Sequence, residues 1–133
     1  MLIKPIRPNY QVQILHEITA RYYLILLIVL LALWGEKTWY YAVSTILLLV
    51  FEPLRIFCGF KGNLSVSVQW SLAAIAFAVF PVLPLIVALL VGESGAGRTA
   101  VLALHVVLVV FSAIIGCVGV AGILTNYRAR ALV

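Results

Sequence analysis

The sequence contains no aspartate, and its acidic residues are four glutamates, Glu17, Glu36, Glu52 and Glu93. Charged residues make up only 10% of the 133, whereas soluble domains carry about 25%. That scarcity excludes a soluble globular domain. It also leaves no paired carboxylates, no His/Cys ligand cluster and no nucleophile beside a base, the groupings that general acid–base, metal and covalent catalysis require. The glycine-rich stretch "GESGAG" (92–97) joins two oily segments. It lacks the strand-to-helix setting of a phosphate loop. The sequence therefore predicts no enzyme, no cofactor, no metal site and no small-molecule substrate. Cysteine is almost missing too. Cys58 lies near a polar stretch and Cys117 in the middle of an oily one, so a disulfide is not expected and both should be free thiols. Cys58 reads as an inert interfacial cysteine rather than a palmitoylated one.

What the chain has in abundance is apolar surface: 65% hydrophobic residues and a mean hydropathy of +1.22. A span needs about 20 mostly apolar residues to cross ~30 Å of hydrocarbon. Four segments qualify, at about 18–34, 38–57, 68–91 and 99–124. Each must close its backbone hydrogen bonds internally, which in lipid means a helix. Short connections make consecutive helices antiparallel neighbours. The fold expected over 1–133 is one all-α membrane domain, a four-helix up-down bundle. The start, "MLIKPIRPNYQ", is polar and proline-punctuated. It is unlike a cleavable signal, so the first oily segment is expected to stay as a span.

A net charge of +5 raises the possibility of nucleic acid, but the basic residues are spread thinly between oily blocks. Lipid headgroups suit that pattern and nucleic acid does not. Lys4, Arg7, Arg21, Arg55, Lys61, Arg128 and Arg130 fall on one side, and only Lys37 and Arg98 on the other. The positive-inside rule then puts both termini and the 58–67 segment in the cytoplasm. Trp34 and Trp39 would mark the far interface, with Trp70 and Tyr127 near the cytoplasmic one.

Thr38 to Phe51 gives only 14 uncharged residues, so the second helix must carry Glu52 and Arg55 with it. Three residues apart, the two share a helix face and can pair. The reading places them in the last turns, near the cytoplasmic surface. Pro53 removes an amide donor and sets its ring against the Leu49 carbonyl, which predicts a kink. "CGFKGNL" (58–64) then reads as the turn, with Gly59 and Gly62 supplying conformations that other residues resist and Asn63 closing the loop. Glu17 and Arg21, four apart, are expected to pair and to lie within reach of Glu52 and Arg55. The plainest alternative is that these residues do no more than terminate a span.

In the fourth segment Ser112, Gly116, Gly119 and Gly122 recur at helical spacing. They make a small-residue face that packs within the bundle or against a partner subunit. Pro81 and Pro84 predict a packing kink in the third segment. His16 belongs to the cytoplasmic end of the first segment and His105 to the opposite end of the bundle, so His105 reads as a histidine bonded across the bundle.

The run Glu52-x-x-Arg55-Ile56-Phe57-x-Gly59-x-Lys61-Gly62-Asn63-Leu64 resembles the signature of the transmembrane protein 17 and transmembrane protein 216 family, four-span proteins of the ciliary transition zone. "LPLIVALL" (83–90), His105 and the basic exit after the fourth span agree with it. The resemblance covers about 14–128 and is sharp only over 52–64, where Pro53 departs from the family's apolar residue. It implies a non-enzymatic scaffold of a ciliary transition-zone complex, with tectonic, B9-domain and coiled-coil proteins as partners, serving ciliogenesis and the diffusion barrier at the cilium base. Partner contacts are then expected at the 58–67 loop, at the charged helix end (Glu52, Pro53, Arg55) and along Gly116, Gly119 and Gly122. Two alternatives stay open. One is an accessory subunit of another large complex, such as a respiratory one in the mitochondrial inner membrane. The other is a small channel or transporter, for which so apolar an interior offers little.

Overall fold

The computed structural model describes residues 8–32, 39–91 and 96–131, and these are 96% helical with no strand. Five helices follow in order: α1 (Tyr10–Ala32), α2 (Trp39–Leu64), α3 (Val68–Phe77), α4 (Leu83–Val91) and α5 (Ala96–Ala131). Together α3 and α4 form one membrane-crossing rod, Val68–Val91, so four helices are long and apolar enough to span a bilayer. The chain is an integral multi-pass membrane protein with an all-α, antiparallel four-helix fold. Residues 1–7, 33–38, 92–95, 132 and 133 lie outside the described set, and with them Lys4, Arg7, Trp34, Glu36, Lys37 and Glu93.

Three helices exceed their hydropathy limits, and each for a local reason. The first begins at Tyr10 rather than Ile18 because Asn9 caps it. The Asn9 Oδ1 accepts from the amides of Gln11 (3.0 Å) and Val12 (3.4 Å). The second does not end at Phe57 but continues to Leu64. Residues 58–64 are helix, not the turn that the glycines suggested. The actual turn is Ser65–Ser67. There the Ser67 amide donates to the Gly62 carbonyl at 2.9 Å. The Val66 amide donates to the Asn63 carbonyl at 3.3 Å. These are the paired bonds of a Schellman stop. The left-handed position falls on Val66, with φ 52°. Neither Gly59 nor Gly62 has a positive φ. Finally, α5 runs for 36 residues. That is about 54 Å of helix against ~30 Å of hydrocarbon, so its last turns, with exposed Tyr127 and Arg128, project beyond it.

The prolines act differently. Pro53 leaves α2 a continuous helix. Its ring strips the Leu49 carbonyl of a partner, and in lipid a freed carbonyl needs another donor. The Tyr23 hydroxyl of α1 supplies it, at 3.5 Å. At Pro81 the rod does open. Phe80 is extended between α3 and α4, and the helix resumes with Leu83 donating to the Ala78 carbonyl.

Leu26, Leu30, Leu48, Val82, Ile86, Leu89, Leu102 and Val109 form the apolar centre. Lipid tails are as apolar as leucine, so this core holds by close packing rather than by escape from water. The outer faces are equally oily, with Leu24, Ile28, Val107, Phe111 and Ile114 exposed.

Candidate functional site: a buried charged cluster and its cavity

Because α2 continues to Leu64, Glu52 lies near its middle. At about 1.5 Å of rise per residue, it stands about 20 Å from Trp39 and about 18 Å from Leu64 along the axis. The expected place in the last turns of the helix is thus corrected: the pair is at mid-helix and inside the protein. The Arg55 Nε donates to Glu52 Oε2 and its Nη2 to Oε1, both at 2.7 Å. The two side chains are 1% and 0% exposed. Across the bundle, the His105 Nε2 of α5 sits 3.0 Å from the same Oε1, although its N–H direction misses the oxygen. The Tyr22 ring stacks on His105 at 5.7 Å and 16°, while its hydroxyl donates to the Val101 carbonyl at 2.7 Å. Three helices meet around one carboxylate. Burying an ion pair costs several kcal/mol per ion, and only bidentate geometry of this kind offsets it.

Glu17 and Arg21 take no part. Both are exposed, and among the described residues no ion pair joins them. The Gln13 side-chain amide donates to Glu17 instead, at 3.4 Å. From α1 it is His16, Tyr22 and Tyr23 that face the cluster.

The remaining motif residues hold helices together rather than shaping a loop. Gly59 is pressed against the His16 ring, where a Cβ would overlap the imidazole. Gly62 meets the Ser71 backbone at the start of α3 in the same way. Asn63 is buried and clamps the opening of α1. It accepts from the Asn9 amide at 2.9 Å and donates to the Asn9 carbonyl at 3.0 Å and to Gln13 Oε1 at 3.2 Å. Lys61 is exposed. Its ammonium lies 4.0 Å from the centre of the Trp70 ring and 5.8 Å from that of Phe57. Aromatic faces attract a cation at such range. Pro53 is exposed. Cys58 is buried in α2, Cys117 is exposed on α5, and both are free.

On α5 the small-residue face turns inward along most of its length. Ser112 Oγ lies 3.3 Å from Thr19 Oγ1. Gly116 faces Ile75, which a Cβ would crowd at 3.2 Å. Gly119 faces Val12, where a Cβ would make ordinary contact at 3.6 Å, and Gly122 meets nothing within 4 Å. Beside these glycines lies a cavity of about 270 Å³. It extends from the bundle end where Asn9, Asn63 and Asn126 gather inward to Arg55 and His16. His16 is 5% exposed, and its Nδ1 has no partner. Neither this cavity nor the role of His16 was visible while residues 58–64 read as a loop. Taken as helix, they put Gly59 and Gly62 four and seven residues after Arg55, on one face.

No protein-family model, no curated protein and no solved structure matches this chain.

Proposed function

We propose that this chain is a non-enzymatic structural subunit of a membrane assembly, of the kind that transmembrane protein 17 and transmembrane protein 216 represent at the ciliary transition zone. One observation supports it above others: the carboxylate of the charged cluster is consumed internally. Glu52 gives both oxygens to Arg55 and faces His105 with one of them. That suits a fixed latch better than a reacting group. Gly59, Gly62 and Asn63 add further locks between helices, so the whole motif over 52–64 reads as the signature of a rigid fold. In this reading a partner meets the outer surfaces, chiefly the Phe57–Lys61–Trp70 group. Tectonic, B9-domain and coiled-coil proteins are the partner classes.

The test is localisation in ciliated cells. A tagged copy should concentrate at the base of the cilium and recover transition-zone proteins by proximity labelling. A mitochondrial pattern would discard the reading in favour of a respiratory accessory subunit. The cavity favours a competing reading, a small transporter, because it reaches a mid-helix charge from one end of the bundle. Transporters place their sites at such depths. Solute flux through purified protein in liposomes would establish it.

A further inference from the structure

We propose that the cavity beside Arg55 is a binding site for the uncharged hydroxyl head of an amphiphile, a sterol or an acylglycerol. Two polar groups at its inner end are incomplete. Glu52 occupies Nε and Nη2 of Arg55, and among the described residues nothing accepts from Nη1. His16, 5% exposed, lines the same cavity with Nδ1 unpartnered. One site thus offers a donor and an acceptor together. A hydroxyl is the smallest group that answers both, accepting from Arg55 Nη1 and donating to a ring nitrogen of His16.

Charge decides against an acid. Glu52 and Arg55 already neutralise each other, so a carboxylate or phosphate would bring a further buried charge without a counter-ion. Size and wall chemistry decide against water alone. One water needs about 10–15 Å³ and two to four polar partners, whereas this space holds about 270 Å³. Its middle is walled by Val12, Ala74, Ile75, Ala78, Gly116 and Gly119. Such walls offer an alkyl body close packing and a water almost nothing. Val118 and Gly122 also line the space and are exposed, giving a tail a lateral way out to the lipid.

The experiment uses the full chain in nanodiscs, irradiated with a diazirine sterol, a diazirine monoacylglycerol or, as the charged comparator, a diazirine fatty acid. Saturable labelling of the α5 segment around 112–123 by one hydroxyl probe is expected, competed by its unlabelled parent; which probe labels identifies the lipid class. Gly122→Trp fills the open end where no neighbour stands within 4 Å, and it should cut labelling at least tenfold with an unchanged melting curve. Gly119→Leu is a second blocker, and His16→Phe should weaken labelling by removing the acceptor. Equal or better labelling by the fatty acid, a blocker that labels like wild type, or no saturable labelling at all would overturn the proposal. Nanodiscs contain no cilium, so failure here is separable from failure of localisation.

Discussion

Arg55→Met tests whether the cluster is a latch. It leaves the Glu52 carboxylate at mid-helix, wholly buried, with only His105 beside it. Removing one partner of a buried pair costs about 3–5 kcal/mol, because the other charge is stranded. Glu52→Leu strands Arg55 and should cost about as much. The double variant Glu52→Leu/Arg55→Met strands neither and replaces the pair with apolar groups of similar length. Its loss should fall below that of either single variant, since replacing a buried ion pair by apolar groups of similar volume is often neutral or stabilising. The singles together would then exceed the double by at least about 3 kcal/mol, against ~0.6 kcal/mol for an average interhelical hydrogen bond in a membrane protein. Reversible unfolding by SDS titration in mixed micelles, followed by tryptophan fluorescence and helical circular dichroism, measures all three on one scale. Two outcomes would refute the reasoning: a single Arg55→Met loss below about 1 kcal/mol, or single losses that add to the double within the ~0.5 kcal/mol expected of independent sites.

Gly59→Ala puts a methyl into the His16 ring and should destabilise by about 1–3 kcal/mol; His16→Ala in the same chain should recover most of the loss in the same titration. Gly62→Ala should cost a similar amount and resist rescue by Ser71→Ala, since its closest neighbours include the Ser71 backbone and not the hydroxyl alone. Asn63→Leu removes three bonds to the start of α1. It should cost about 2–4 kcal/mol, with hydrogen exchange rising first at residues 10–13. Tyr23→Phe takes the donor from the carbonyl that Pro53 frees. The cost should be about 1 kcal/mol, that of one ordinary hydrogen bond, with faster exchange in α2 around Pro53.

The number of spans, their order and the third-span kink were legible because lipid allows so few alternatives. Twenty apolar residues in a row must be helix, and Pro81 removes an amide from the ladder it interrupts. The Glu52–Arg55 pairing was legible from spacing alone. Its depth was not. The sequence carries the span through both charges but ends it at Phe57, seven residues short of Leu64, so a mid-helix pair reads as part of the last turns. Gly59, Gly62 and Asn63 compounded the error, because in water these residues signal turns. In a bundle they also mark where one helix touches another, and only the neighbours, His16, Ser71 and Asn9, decide between the two. Val66, which does hold the left-handed position, carries no sequence signal for it. Capping by Asn9 was readable in principle, but the apolar pattern begins late and masked it.

The depth of the pair also changes what a partner can use. In water a charged motif is free to serve as a surface handle, since solvation keeps both charges inexpensive when nothing is bound. Packed inside a bundle of apolar helices the charge has no such relief, and an unpaired Glu52 would be stranded away from water whether or not a partner was bound. A chain that must fold and persist on its own therefore has to neutralise that carboxylate itself. Arg55 and His105 do this within one chain. In the proposed reading, recognition is left to a group whose solvation survives separation, Lys61 over Trp70. Substitutions in the cluster should thus lower the amount of folded protein, whereas Lys61→Ala should leave the amount unchanged and reduce what the chain captures.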